Sequence, residues 1–204
     1  MKTNTLALAF IPLFCALLAT GCCHVNHLSS ASPPKAVVVE SNSSATLDVE
    51  LTRRRCPPSR SVMGPIARAS VSEFRILSEL QEEDPAVCIP FLNKAVLRVL
   101  GKRLGWNSGE SGDLLRIQIQ ELRLVASDPL SPFVVVGSIR ASIERGDELL
   151  WRACLEFEMP PGGGSVKNLS QLPPDLRRKF WKRVSEHMAL VLLQQLERDL
   201  GPKG

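Results

Sequence analysis

Asp113-Leu114-Leu115-Arg116-Ile117-Gln118-Ile119-Gln120-Glu121-Leu122-Arg123-Leu124 is the stretch from which the fold is read. Leu115, Ile117 and Ile119 alternate with Arg116, Gln118 and Gln120, the period-two pattern of a strand with one buried face. Leu122 and Leu124 continue the alternation in the opposite phase across Glu121, which predicts a β-bulge. Downstream, Val135, Ile139, Ala141 and Ile143 share one face while Arg140, Ser142 and Glu144 share the other. Arg145-Gly146-Asp147 interrupts, and Leu149, Trp151, Ala153, Leu155 and Phe157 resume the alternation, so the two runs make a hairpin. Arg145-Gly146-Asp147 also spells a cell-adhesion tripeptide, but between two strands it reads as a turn.

Two helical patterns flank this sheet. Leu92, Val96, Val99, Leu100 and Leu104 form one stripe, with Asn93, Lys94, Arg98, Lys102 and Arg103 opposite; Pro90 suits the start and Gly105 the C-cap. The second pattern runs from about Pro174 to Leu200. There Leu176, Phe180, Val184, Met188, Leu192, Leu196 and Leu200 recur every four residues, Trp181, Val191 and Leu193 widen the stripe, and Gly201-Pro202 ends it. Thr46 to Thr52 alternates as a strand. Residues 66–83 read as a helix through Val71, Phe74, Leu77 and Leu80, with Ser70 and Glu73 at capping-box spacing, and also as a strand through Val71 to Ile76. The expectation is an α+β (or α/β) domain in which a small sheet of three to five strands carries two or three helices packed on one face.

The chain has 204 residues, 44% hydrophobic and 23% charged, with a mean hydropathy of +0.03. These values exclude bulk disorder, a collagen-like repeat and a polytopic membrane protein. The front of the chain is a different matter. Met1-Lys2 gives a positive start, Leu6 to Ala19 is uncharged, and Ala19-Thr20-Gly21 places small residues directly before Cys22. That is a secretion signal, and with Pro12 inside it the run is too short for the roughly 20 residues of a membrane-crossing helix. Leu18-Ala19-Thr20-Gly21-Cys22 resembles the lipobox of bacterial lipoproteins, with Ala19 where that family usually has Leu. The resemblance implies that residues 1–21 are a cleaved leader and that Cys22 receives a diacylglycerol on sulfur and an acyl chain, of the palmitate kind, on its new amino group. Three chains hold far more firmly than one. In Gram-negative lipoproteins Asp after the lipidated cysteine marks the inner membrane; Cys23 stands there instead, which implies the outer membrane, facing the periplasm. Residues 22–46, rich in Ser, Asn and Pro, read as the lipidated cysteine and a flexible tether of about 25 to 30 Å, with Val37-Val38-Val39 too isolated to alter that reading. Residues 47–204 are then a single periplasmic domain.

A looser resemblance covers residues 66–200. A helix ending near Leu104-Gly105, a strand opening with Gly112-Asp113-Leu114-Leu115, a return strand with Asp147-Glu148-Leu149-Leu150-Trp151-Arg152 and a C-terminal amphipathic helix look like small envelope lipoproteins. Among these are the curli-secretion lipoproteins, the activators of penicillin-binding proteins and the auxiliary lipoproteins of ABC-type transport systems. Such domains bind proteins or assemble pores and have no catalytic residue set. The resemblance implies a non-enzymatic, lipid-anchored adaptor or assembly factor that meets the membrane through its acyl chains and binds another envelope protein. The alternative is a transport auxiliary lipoprotein that holds a lipid or small apolar ligand between sheet and helices. Nucleic acid is not expected in that compartment.

The residues themselves offer little chemistry. His24 and His27 lie in the expected tether and His187 flanks the apolar stripe of the last helix, so no catalytic residue, metal site or cofactor is expected. Pro161-Gly162-Gly163-Gly164-Ser165 lacks the Gly-Lys-Ser/Thr ending of a phosphate cradle and reads as a loop, and Glu82-Glu83-Asp84 as a solvated turn. With Cys15 in the leader and Cys22 lipidated, Cys23, Cys56, Cys88 and Cys154 remain, and they allow three full pairings. Cys56 with Cys88 is the expected bridge, against buried or free thiols; no Cys-x-x-Cys spacing occurs. The formal net charge is +4, and Arg177, Arg178, Lys179, Lys182 and Arg183 crowd the start of the last helix against Asp175 alone. Cations there oppose the helix dipole, so the cluster is expected to face an anionic partner rather than to support the helix.

Overall fold

A computed structural model describes residues 24–28, 30–52, 80, 84–109, 112–160 and 164–201. The described residues begin with three strands: β1 (Val25–Asn26), β2 (Ala36–Ser43) and β3 (Leu47–Leu51). A 3₁₀ turn (Pro85–Cys88), in which Asp84 accepts the Ala86 N–H at 2.8 Å, leads into α1 (Ile89–Leu104). Then come β4 (Asn107–Ser108), β5 (Asp113–Ala126), β6 (Phe133–Arg145), β7 (Glu148–Met159), α2 (Val166–Ser170) and α3 (Pro174–Leu200).

The sheet is mixed, with order β1-β7-β6-β5-β2-β4 and β3 beside β5. Among the described residues seven strands replace the expected three to five. The three long antiparallel strands follow the alternation that identifies them, and the β5 bulge falls between Ile119 and Glu121 as expected. The hairpin turn carries Gly146 at φ 58°. A second register shift, between Ile143 and Glu144, carries Leu150 inward, so Leu150 and Trp151 are both fully buried while Leu149 is half-buried.

Of the extra strands, β1 and β2 come from the segment expected to be a tether and β4 from the link between α1 and β5, while β3 is the strand expected over Thr46 to Thr52. Ala36–Ser43 lies parallel to β5 from Val37 opposite Asp113 to Ser43 opposite Ile119, and Val37 is fully buried. Leu47–Leu51 continues along the same side of β5, from Leu47 opposite Leu122 to Leu51 opposite Ala126. β2 and β3 are thus two halves of one border, broken at Ser44–Thr46 beside the β5 bulge. Ser44 N–H donates to the Ile119 carbonyl at 3.0 Å and Gln118 donates to Ser44 Oγ at 3.1 Å across the break. Ser and Asn depress strand propensity, but with one face solvated and a ready ladder in β5 the partner decides the conformation. β1 and β4, at two residues each, are too short to leave any period.

Both long helices cover one face. α1 ends at Gly105, which takes the left-handed conformation (φ 73°) that a C-cap needs and donates its N–H to Leu100. Leu92, Val96 and Leu100 from α1 meet Val184, Met188, Leu192 and Leu196 from α3 over Leu115, Ile117, Ile119, Ile139, Ile143 and Trp151, all of these side chains at 1% exposure or less. Ser185 Oγ, fully buried, ties the helices together by donating to the Cys88 carbonyl or the Trp181 carbonyl (3.1 and 2.9 Å). The other face of the sheet is polar. Arg116 pairs with Glu144 (2.9 Å) and Glu40 (3.6 Å), and Arg123 with Glu121 (2.9 Å) and Glu50 (3.0 Å). Arg140, Arg152, Cys154, Glu156 and Glu158 project there too, and no described helix covers them. Residues 66–79 and 81–83, where helix and strand readings compete, lie outside the described residues.

Candidate functional site

The five cations at the start of α3 do different work. Pro173 and Pro174 open the helix without a side-chain cap. Arg177 reaches back to α2, donating to the Leu172 carbonyl at 3.1 Å and the Ser170 carbonyl at 3.4 Å, and so satisfies acceptors left open where the short helix stops. Arg178 stacks its guanidinium 5.5 Å from the Phe91 ring centre, a cation–π contact that pins α3 to α1. Lys182 stands 4.0 Å from Glu186, which also takes Arg98 at 3.6 Å. Lys179 and Arg183 make no ion pair among the described residues. They are exposed, and the 3.6-residue period puts them on one face with Leu176 (45% exposed) and Leu190 (46%). The expected patch therefore contracts to two cations set in a partly apolar stripe on the solvent side of α3.

Beside this stripe, Val87, Pro174, Arg178, Trp181, Asp84 and the Arg177 side chain surround an open hollow of about 450 Å³ with a largely apolar wall. A larger hollow of about 910 Å³ lies at the other end of the helices, where Pro33, Pro34, Leu104, Trp106 and Leu200 meet Arg103 and Glu197. Both open at the helix ends; the space between helices and sheet over β5, β6 and β7 is filled by the core side chains named above. Among the described residues no group of three His, Cys, Asp or Glu side chains is placed to hold a metal ion. His187 is half-buried with its ring edge-on to Phe157, 6.1 Å between centres.

Asp199 is the polar centre that the sequence reading missed. It accepts the indole N–H of fully buried Trp151 at 2.7 Å and the Gln195 amide at 3.1 Å, and His24 Nε2 lies 3.6 Å away. Asn26 donates to the Asp199 carbonyl at 3.0 Å. A carboxylate in the last turn of a helix opposes the macrodipole, and that misplaced sign was the available signal for a local partner. The cluster clips β1 to the end of α3. Arg145 is equally committed: it forms a two-pronged bridge to Asp113 (2.8 and 2.7 Å) and donates to the Ser32 carbonyl, so the Arg-Gly-Asp turn does not present its arginine.

Cys22 and Cys56 lie outside the described residues. Cys88 is a buried thiol and not half of a disulfide, which corrects the expected Cys56–Cys88 bridge; the 3₁₀ turn seats it under α3. Among the described residues the cysteine in a disulfide is Cys154, on the polar face of β7. No known protein family matches the chain, and no curated protein is detectably similar to it. Among the described residues no helix is long and apolar enough to cross a membrane.

Proposed function

We propose that this protein is a non-enzymatic lipoprotein of the cell envelope, held by acyl chains on Cys22 at the periplasmic face of the outer membrane, and that it serves as an adaptor for another envelope component. The observation that carries the reading is the run Leu18-Ala19-Thr20-Gly21-Cys22 behind the uncharged stretch Leu6 to Ala19, which resembles a lipobox. An anchor at Cys22 would stand three residues before β1, which is tied through Asn26 to the last turn of α3. The partner surface is the α3 stripe of Leu176, Lys179, Arg183 and Leu190, whose cations have no role in holding the described fold and suit an anionic surface. The apolar hollow beside it favours a second reading, an auxiliary lipoprotein that takes up a small apolar ligand against Val87, Pro174 and Trp181.

One preparation tests these readings. Mass spectrometry of the N-terminal peptide from envelope-derived protein is expected to show chain starting at an acylated Cys22, and Cys22→Ser to abolish it; an intact, unacylated Met1 product refutes the anchor. Crosslinking in native envelope is expected to capture a partner that the Lys179→Gln, Arg183→Gln pair loses. Capture unchanged by that pair refutes the stripe, and an apolar ligand retained in native mass spectra supports the second reading.

A further inference from the structure

β2 forms an open border of the sheet. The backbone N–H and C=O groups of successive strand residues point to opposite sides, so one ladder bond fixes the direction of the rest. Asn107 N–H donates to the Lys35 carbonyl at 2.9 Å and Gly109 N–H to the Val37 carbonyl at 3.4 Å, which turns Lys35 and Val37 toward β4, while Ser44 N–H donates to Ile119 in β5 at 3.0 Å. Even-numbered residues of β2 therefore hold the β5 ladder, and Val39, Ser41 and Ser43 point outward. β4 pairs only with Ala36 and Val37, so the outward N–H and C=O groups of Val39, Ser41 and Ser43 meet no partner among the described residues.

The neighbouring stretches of this border are closed. β4 covers the start, and at the far end the chain takes up its own donors: Ser43 Oγ accepts the Ala45 N–H at 3.3 Å and Asp48 Oδ1 the Val49 N–H at 2.8 Å. What stays open is residues 39–43, about 13 Å of edge, the length of one short strand. Such an edge is a template for an added strand. Its side chains indicate the chemistry of the occupant. From Val38 to Thr52 the border carries Glu40, Asp48 and Glu50 and no lysine or arginine, although the chain as a whole has a net charge of +4. Arg116 and Arg123, beside Glu40 and Glu50, are shared with Glu144 and Glu121, which leaves carboxylates in excess on the polar side. On the helix side Val39, Ser41 and Ser43 are small and half-buried.

We propose that the β2 edge at Val39–Ser43 docks an extended peptide segment of a partner protein, added antiparallel to β2, with lysine or arginine facing Glu40 and small apolar side chains toward the helices. Antiparallel addition lets each outward residue exchange both of its bonds with one facing residue, so the edge offers three N–H donors and three C=O acceptors. The ladder supplies affinity without regard to sequence, and the alternation of cation with apolar residue selects the partner. A second copy of this chain does not fit. Pairing two β2 edges about Ser41 brings Ala45 of one copy level with Val37 of the other, the place that β4 holds, and centring on Val39 or Ser43 puts the border on β4 in the same way. The proposal does not depend on the lipid anchor.

The test is amide hydrogen exchange in the full-length, isotope-labelled chain titrated with the capped peptide Lys-Val-Lys-Val-Lys-Val-Lys. The Val39, Ser41 and Ser43 amides are expected to slow by about tenfold or more as the added ladder forms, while those of Glu40 and Asn42, already turned to β5, stay as they were. The peptide with glutamate for lysine, and the lysine peptide N-methylated at its valines, are expected to leave all of these amides unchanged. Ser41→Pro removes an outward N–H but no bond to β5, a change that an edge tolerates, so it is expected to keep the parent's urea midpoint and lose the protection. Exchange unaffected by the lysine peptide overturns the docking site. Equal protection by the glutamate peptide overturns the cationic partner, and equal protection by the methylated peptide or in Ser41→Pro overturns the added strand. Protection that appears without peptide and rises with protein concentration assigns the edge to a second copy and overturns the proposal as well. If Ser41→Pro fails to fold, the methylated peptide decides the matter on the unaltered chain.

Discussion

Replacing Asp199 by Ala distinguishes the structure from the pattern by sign. At the last turn of a helix, Asp→Ala removes a charge that opposes the dipole and installs a better helix former, together a stabilisation of roughly 0.5 to 1.5 kcal/mol. The structure adds an opposing term. Asp199 accepts the indole N–H of Trp151, which is fully buried, and removing the carboxylate leaves that donor without its 2.7 Å partner, at a cost of about 1 to 3 kcal/mol. The net expectation is a loss of about 1 kcal/mol, or roughly 2 to 4 °C in Tm for a domain of this size. Urea unfolding of the oxidised protein, followed through tryptophan fluorescence, measures it. Trp151→Phe keeps a ring in the core and removes the donor. In that background Asp199→Ala is expected to be neutral or stabilising, and the difference between the two backgrounds is the coupling. If Asp199→Ala is as stable as the parent with Trp151 present, the buried hydrogen bond contributes nothing and the clip between β1, β7 and α3 is not a determinant of stability.

Two further expectations concern the sheet and its connections. A Cβ on Gly137 would stand 2.6 Å from the Glu121 carbonyl oxygen and 2.7 Å from Phe157 Cζ, so Gly137→Ala is expected to cost about 1 to 3 kcal/mol in urea unfolding, whereas Gly164→Ala, with open space around it, is expected to be silent. Asp128 accepts from the Ser131 hydroxyl and from the Leu130 and Ser131 N–H groups, with burial opposing, and these bonds hold its carboxyl below the usual carboxylate range. A depressed folded value stabilises the turn above the normal carboxylate pKa, and that support is lost as pH falls through the folded value. Protection of the Leu130 and Ser131 amides, measured against their intrinsic exchange rates, is expected to fall in acid in the parent and to lose most of that pH dependence in Asp128→Asn.

What the sequence discloses here is which face of an element is buried; what it withholds is the identity of the neighbour. The alternations in 113–159 and the four-residue stripe of α3 each report a face over ten or more residues, and these elements were legible close to their ends. β2 is also apolar where it meets the helices, through Val37, but its remaining side chains tolerate water and its Ser and Asn residues imitate a linker. Only the presence of β5 alongside makes it a strand. The basic cluster fails for a related reason. Charge counting treats Arg177 and Arg178 as equals of Lys179 and Arg183, yet the first two are engaged by the ends of α2 and by Phe91, contacts that no spacing within α3 encodes. Asp199 is distant in sequence from each of Trp151, Asn26 and His24, so only its awkward sign at a helix end was locally visible.

These non-local contacts converge on the front of the chain. β1 is bound to β7 by its ladder, His24 and Asn26 are bound to the last turn of α3 around Asp199, and α3 packs against β7 and β6. Were Cys22 acylated as proposed, a pull on it would reach β1 and, through the β1 ladder and Asp199, both β7 and α3. The exposed stripe of Lys179 and Arg183 belongs to that same helix, so under the proposed anchor its direction would follow from the contacts of β1 with α3. An adaptor built as proposed would present that face at one height, which would restrict its partner to a component lying close to the bilayer. If the short connection to the proposed anchor sets the orientation, inserting a flexible Gly-Ser segment directly before His24 should leave the domain's stability nearly intact, because β1 contributes only two ladder residues, while reducing crosslinking to the partner. Equal crosslinking with and without the insertion would show that orientation is not what the short anchor provides.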